Sequence, residues 1–513
     1  MVKFYVHNLN LTKAFKNKTS NDSDGLNMNM IKSIIQTIKT PFTKICNLSL
    51  KSGIFPNQLK VAKVIPIFKS GDKHSFNNYR PVSILPQFSK ILEKIFYNRL
   101  KGFIDKHEIL VESQYGFRNE RSTSLALIDL LEQITNAIEN KMHTIGIFID
   151  LKKAFDTINH DLLIKKMEHF GIRGIANDWL KSYLSNRKQF ANYNGTNSDL
   201  YDIECGVPQG SILGPLLFIL YINDISNVSK ILRLILFADD TNLFATGHDL
   251  ELLCNEINNE LCILSEWFKI NRLSLNVKKT NYMLFSKKAK SMTQTLKIDN
   301  NVIESGRVTK FLGTNIDEKL NWKAHIDMIS VKLAKSCSII YKVNDILNTD
   351  ALKSLYFTLF LPYISYCTEV WGVTFKSYLS RIVKLQKRAI RTICRVGKMH
   401  HTNELFIKLN IMKFEDLVDL EIAICMYKAK KGLLPKNIQS LFKEKTNSRQ
   451  NSLRNKDNLL CKYSRTNMKS KSLSVYGVKL FNSLPMELKE SKSVHLFKRN
   501  WKKMIFEKYG TMT

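Results

Sequence analysis

The sequence has no Cys-x-x-Cys pair, no repeat of fixed period and no apolar run long enough to cross a bilayer. Its nine cysteines, an odd number scattered from Cys46 to Cys461, argue against a disulfide frame and a zinc knuckle. They suit reduced thiols in an intracellular protein. The longest apolar stretches, such as 212–222 and 234–238, fall short of the ~20 residues that a spanning helix needs. A secretory signal, with its basic start and long apolar block, is also missing from the N-terminus. Acids are scarce relative to bases: 45 Asp and Glu stand against 78 Lys and Arg, a formal charge of +33 spread along the whole chain. With 44% hydrophobic residues, 29 Phe and 18 Tyr, this is a folding sequence and not a disordered one. Such an evenly basic globular chain reads as a binder of polyanions, nucleic acid first, with an anionic membrane surface as the competing partner. Its 513 residues exceed what one core supports, so two to four packed units are expected.

Against that background, acids set in apolar surroundings stand out. The stretch Ile231-Leu-Arg-Leu-Ile-Leu-Phe-Ala-Asp-Asp-Thr-Asn-Leu-Phe-Ala-Thr246 reads as two short buried strands joined by an acidic turn. Carboxylates held there either titrate or take a cationic partner, and a divalent metal satisfies two at once. An exposed acidic hairpin turn is the plain alternative. A second centre is Thr144-Ile-Gly-Ile-Phe-Ile-Asp150, a buried-strand pattern ending in an acid, where α/β proteins place ligands. If the two strands are neighbours, Asp150, Asp239 and Asp240 converge into a site for two divalent cations. Lys152 or Lys153 could neutralise one acid, but hardly three. Asp156 reads as the start of the helix expected over 161–170.

Between the two centres lies Gly206-Val-Pro-Gln-Gly-Ser-Ile-Leu-Gly-Pro215, a tight preset loop that lets a ligand approach the backbone closely. Taken alone, it could equally be a strand-to-helix turn before an apolar helix over 216–222. Upstream, Arg80 and Arg118 stand in short segments bounded by Pro or Gly. Such fixed guanidinium groups suit phosphate oxygens, or are simply surface arginines. The remaining pattern gives a strand over 61–68 and helices over 30–48, 89–104, 122–140 and 251–268. A final hairpin is expected over 302–316, and a helical run over 325–395.

Taken together, Phe237-Ala-Asp-Asp240, Phe148-Ile-Asp-Leu-Lys-Lys-Ala-Phe-Asp156 and Gly206-Val-Pro-Gln-Gly-Ser-Ile-Leu-Gly-Pro215 resemble the core motifs of reverse transcriptases of non-LTR (LINE-type) retrotransposons. The resemblance extends to Asn78-Tyr-Arg-Pro-Val-Ser83, Gln114-Tyr-Gly-Phe-Arg118, Leu275-Asn-Val-Lys-Lys-Thr280 and Lys310-Phe-Leu-Gly313. It covers about residues 24–501, with jockey-like and chicken-repeat-like elements as the nearest branches. It implies an α+β right-hand polymerase fold, with fingers, a palm with an antiparallel sheet, a helical thumb and a basic helical C-terminal region. The divisions would be a leader and helix at 1–50, fingers and palm at 51–320, thumb at 321–400 and the C-terminal region at 401–513.

Carried over residue by residue, the resemblance implies two Mg²⁺ ions, with Mn²⁺ as a substitute, held by Asp150, Asp239, Asp240 and the Leu151 carbonyl. Phe155 matches the ring that blocks a 2′-hydroxyl, favouring dNTPs. Gln209 and Gly210 match the loop against which template and nucleotide pack, Arg80 and Arg118 match triphosphate contacts, and Lys279 matches an aid to the leaving pyrophosphate. Phe311, Leu312 and Gly313 match a primer grip. The implied partners are an RNA template, a DNA primer or target, and dNTPs, with no membrane; the implied location is intracellular, the nucleus for target-primed synthesis with the cytoplasm as the alternative.

Farther on, Arg381, Lys384, Arg388, Arg391 and Arg395 recur at spacings of three and four, on one helical face opposite Ile382, Leu385, Ala389 and Ile393. That pattern suits a thumb helix tracking duplex phosphates, and a membrane-surface helix shares it. Full elements of this kind carry an endonuclease ahead of the polymerase, whereas here the fingers start within the first 60 or so residues. The expectation is therefore a polymerase segment or a truncated copy. The alternative function is a catalytically inactive nucleic-acid-binding remnant. The acid set, with no visibly broken motif, favours the polymerase.

Overall fold

Side chains on successive strand residues point to opposite faces, so the strand His143–Ile149 sends Ile145, Ile147 and Ile149 one way and Phe148 the other. The computed structural model describes residues 10–287, 294–444 and 458–511. In it this strand is the centre of a five-stranded sheet ordered Glu304–Ser305, Asn281–Phe285, His143–Ile149, Asp240–Gly247, Arg233–Phe237. Four of these strands run antiparallel to their neighbours, as expected. Glu304–Ser305 instead pairs in parallel with Asn281–Phe285, and between them in the chain lies the small hairpin Lys297–Ile298 and Asn301–Val302.

The same alternation operates across the sheet and separates two cores. Leu243, Ala245, Leu236 and Tyr282 join the three isoleucines on one face, while Phe244, Ile235, Met283 and Phe285 join Phe148 on the other. The first face is covered by the helices Gln87–Lys106, His160–His169, Ile175–Leu184, Gly214–Tyr221 and Leu250–Ile270. Trp179, fully buried there, stacks on Phe96 with ring centroids 4.0 Å apart. Thr123–Glu139 lies against the second face, and Lys323–Lys342, Lys376–Ile393, Phe414–Lys430 and Val494–Gly510 extend the same apolar core. That core runs from Tyr115 to Tyr509. The C-terminal residues are tied into it by polar contacts as well. Buried Glu132 accepts from the Lys469 ammonium and from the Ser474 amide and hydroxyl, and Glu139 accepts from the amides of Arg465 and Thr466.

A separate hairpin, Val61–Phe68 with Tyr79–Ile84, is extended by Arg187–Tyr193, which pairs in parallel with Val61–Phe68. Among the expected helices, that over 30–48 is two, Met28–Ile34 and Lys39–Ser52. Thr123–Glu139 starts where Ser122 caps it by accepting from the Leu125 amide. The helical run over 325–395 is broken into six pieces, among them Lys323–Lys342 and Lys376–Ile393. The expected final hairpin is Val308–Phe311 with Thr314–Asp317. The basic stretch 443–456 lies almost wholly outside the described residues.

Candidate active site

Strand register brings the acids to one place. Ile149 pairs with Thr241, and Phe237 pairs with Asp240. Asp150 therefore leaves its strand beside the turn that carries Asp239 and Asp240. That turn is tight: Ala238 adopts φ +56°, a left-handed conformation that costs energy for a residue with a Cβ. It is held from outside the sheet. The Gln114 carboxamide oxygen accepts from the Ala238 amide at 3.2 Å and from the Gly116 amide at 2.8 Å. The Tyr115 amide donates to the Leu236 carbonyl at 2.7 Å, and the Tyr115 hydroxyl donates to Asp129 at 2.7 Å. Gly116 must be glycine here, since a Cβ would lie 2.4 Å from the Ala238 nitrogen.

Asp239 and Asp240 reach solvent, yet they lie in a recess where protein displaces much of their hydration. Burial, then Asp239, then Asp150 push Asp240 up to about 6. Asp239 is also raised, first by burial and then by Asp150, while Arg80 and Lys69 act in the opposite direction. Lys69 and Arg80, on the Val61–Phe68 and Tyr79–Ile84 hairpin and its turn, are therefore near enough for their charges to act on Asp239. Asp150 is gripped by Asn276, whose side-chain nitrogen donates to its Oδ2 at 2.7 Å and whose amide donates to its carbonyl at 2.8 Å. Among the described residues no group of three or more His, Cys, Asp or Glu side chains forms a ready-made ion site. What the recess offers is a set of hard oxygen donors whose mutual repulsion nothing near Asp240 offsets, and this donor chemistry suits Mg²⁺.

The other expected residues divide into those near the acids and those turned elsewhere. Leu151 lies in the two-residue strand Leu151–Lys152, paired with Ser274–Leu275. Phe155 stacks on Phe218 with centroids 4.5 Å apart and meets Phe117 edge-on at 6.5 Å. Gln209 donates to Asp156 at 2.9 Å, and its carbonyl accepts from the Ser83 amide at 2.8 Å. Gly210 lies so close to that strand that a Cβ would stand 2.4 Å from the Ser83 carbonyl oxygen. Asp156 is not the helix start, because Asn159 caps His160–His169 and leaves Asp156 to orient Gln209. The Phe311 ring lies 5.9 Å from Phe148, so the Phe311-Leu312-Gly313 turn packs close to the strand that ends at Asp150. The Tyr366 hydroxyl donates to the Leu312 carbonyl at 2.8 Å.

Arg118 is turned away: its guanidinium donates to the Val111 carbonyl at 2.6 Å and closes its own loop. Lys279 is exposed. Arg395 falls beyond the helix Lys376–Ile393, with φ +56°, and donates to the carbonyls of Asn344 and Leu347. Arg391 donates to the His400 carbonyl at 2.8 Å, and Arg381 lies 3.7 Å from Asp327. Lys384 and Arg388 remain exposed on that face, opposite buried Ile382, Ala389 and Ile393. Sequence reasoning missed Lys69, Gln114 and Asn276 as individual residues. Gln114 and Asn276 did lie inside motifs it singled out, and a polar side chain flanked by Gly or by apolar residues was the available signal.

A strand end and a strand-joining turn thus bring three acids together near a basic hairpin. Residues 69–316 match the family of reverse transcriptase (RNA-dependent DNA polymerase), and this part of the chain belongs to that family. Across a longer stretch, the chain is similar to RNA-directed DNA polymerases of non-LTR retrotransposons. It is 29% identical over 397 residues to the probable RNA-directed DNA polymerase from transposon BS of Drosophila melanogaster, covering 73% of this chain and 42% of that protein. It is 27% identical over 384 residues to the RNA-directed DNA polymerase from mobile element jockey of the same fly, covering 72% and 42%. The polymerase from transposon X-element, named as probable, is 27% identical over 68% of this chain and 39% of its own length. The chain thus spans about two fifths of the length of these relatives.

Proposed function

We propose that this chain is an RNA-directed DNA polymerase that extends a primer 3′-hydroxyl on an RNA template with dNTPs. The observation that carries the reading is the register that sets Asp150 beside the Asp239–Asp240 turn, within the matched segment. In this reading the five-stranded sheet is the palm, the Val61–Phe68 and Tyr79–Ile84 hairpin belongs to the fingers, and the helices after 321 form the thumb. The described residues of the C-terminal region, 401–444 and 458–511, then form a basic region bound to the thumb side.

Asp150, Asp239, Asp240 and the Leu151 carbonyl would hold two Mg²⁺ ions, which when bound activate a hydroxyl and stabilise charge on a phosphate. The chain's own residues do the rest by position and charge. Lys69 and Arg80 neutralise triphosphate oxygens over the acids, and Gln209 with Gly210 presents a flat, fixed edge to the template and nucleotide. Phe155, braced by Phe218, excludes a 2′-hydroxyl. The turn at Phe311–Gly313 supports the primer terminus. Among the described residues no helix is long and apolar enough to cross a membrane. In this reading the basic helix Lys376–Ile393 faces duplex phosphate, and the nucleus is where target-primed synthesis would take place.

The test is primer extension on an RNA template with dNTPs and Mg²⁺, comparing the wild type with Asp239→Asn. Extension that vanishes in the variant supports the polymerase. Tight template–primer binding by both without extension moves the reading to an inactive nucleic-acid-binding remnant.

A further inference from the structure

The segment Leu275-Asn-Val-Lys-Lys-Thr280 approaches the site through its asparagine, while the lysine at 279 faces solvent. Four contacts join this segment to the residues at Asp150. Leu275 pairs with Leu151, the Asn276 amide donates to the Asp150 carbonyl at 2.8 Å, and its side-chain nitrogen donates to Asp150 Oδ2 at 2.7 Å. The Thr280 hydroxyl accepts from the Asp150 amide at 3.4 Å and donates to the Asn276 carbonyl at 3.1 Å. The carboxamide's orientation follows from chemistry, since its oxygen would face another acceptor if the group were flipped.

The kind of donor matters. A lysine at this place would neutralise Asp150 and compete with any cation. A carboxamide instead fixes the carboxylate by a charge-assisted hydrogen bond and adds no charge of its own. It occupies Oδ2, and among the described residues none donates to Oδ1. We propose that Asn276 is a positioning residue, which holds the Asp150 carboxylate with one oxygen committed and one directed to the shared acid site. The inference rests on the polymerase reading, and groups that orient a ligand in this way typically change metal affinity or activity by about 10- to 100-fold when removed.

Two variants test it. Asn276→Asp keeps the shape but replaces the donor with an acceptor, and Asn276→Ala removes the group. Each is compared with wild type and Asp239→Asn for kcat and KM of dNTP, template–primer affinity and thermal melting. Mn²⁺ binding is followed by electron paramagnetic resonance in the absence of nucleotide. The expected result is a kcat lower by about ten-fold or more in both variants, with KM and duplex affinity within about three-fold. Mn²⁺ binding by Asn276→Ala should weaken by about ten-fold. Wild-type kcat in Asn276→Asp overturns the inference, because packing alone would then suffice. Should the wild type itself fail to extend a primer, the polymerase reading fails. In that case the Mn²⁺ arm still decides, and unchanged binding by Asn276→Ala overturns the inference.

Discussion

The amide of Ala238, in the left-handed region immediately before Asp239, is held by the side-chain oxygen of Gln114 at 3.2 Å. Because Gln114 is buried, replacing it with Leu leaves the Ala238 and Gly116 amides without their acceptor, at about 1–3 kcal/mol for a buried donor left unmade. Gln114→Leu should therefore lower both the melting temperature and kcat, and leave template–primer affinity unchanged. Gly116→Ala should do more damage, since its Cβ would collide with the backbone of the same turn. Thermal melting with single-turnover extension checks both. Full activity in Gln114→Leu would show that the strand pairing alone shapes the turn.

Phe155 is fixed by its stack on Phe218, so the ring is a rigid barrier. Phe155→Val should raise rNTP incorporation relative to dNTP and lower stability by about 1 kcal/mol through the lost aromatic pair. Competitive incorporation of the two nucleotide types reads the first effect and thermal melting the second. Unchanged selectivity would remove Phe155 from the sugar gate.

Of the five cations expected on one helical face, three have partners within the protein. The two remaining, Lys384 and Arg388, are the ones expected to release counterions on duplex binding. Each change to Ala should reduce the slope of log affinity against log salt by about 0.9. Arg395→Ala should instead lower the melting temperature, since its guanidinium closes the carbonyls of the 344–347 turn. Equal slopes for wild type and Lys384→Ala would place this helix away from the nucleic acid.

His325 is buried with the rings of Trp322 and Trp371 beside it, and its Nδ1 accepts from the Asn315 amide at 3.3 Å. Burial, helped by the Lys332 charge, pushes its pKa down to about 4 from 6.5. Between those values the unfolded chain binds the proton and the folded chain does not. The stability from this group is therefore complete above about pH 6.5 and declines as pH falls toward 4, by up to about 1.4 kcal/mol per pH unit. His325→Gln should melt with a shallower acid decline than wild type over that window. Parallel curves would assign the acid sensitivity to other groups.

Local pattern made much of this protein legible. Apolar runs at 144–150 and 231–246 marked the central strands, Ser122 marked a helix start, and Gly206–Pro215 marked a fixed loop, because each depends on neighbours a few residues away. Asp156 was misread because a carboxylate before a helix usually caps it, whereas here Asn159 takes the cap and Asp156 turns to Gln209. Arg395 continued the three-and-four spacing, but the helix ends at Ile393, so periodicity alone overran its boundary.

The sequence by itself determined the strands, the acids at their ends and the surplus of positive charge. Only the tertiary structure decided which groups hold those acids. Gln114 reaches a turn 124 positions away, and Asn276 grips a carboxylate 126 positions away. It also decided that residues near the C-terminus share a core with Thr123–Glu139 through Glu132 and Lys469. Hydrogen bonds and buried ion pairs across such separations leave no periodic trace in the chain. Their partners are chosen by how two sheet faces pack, once the local elements have formed.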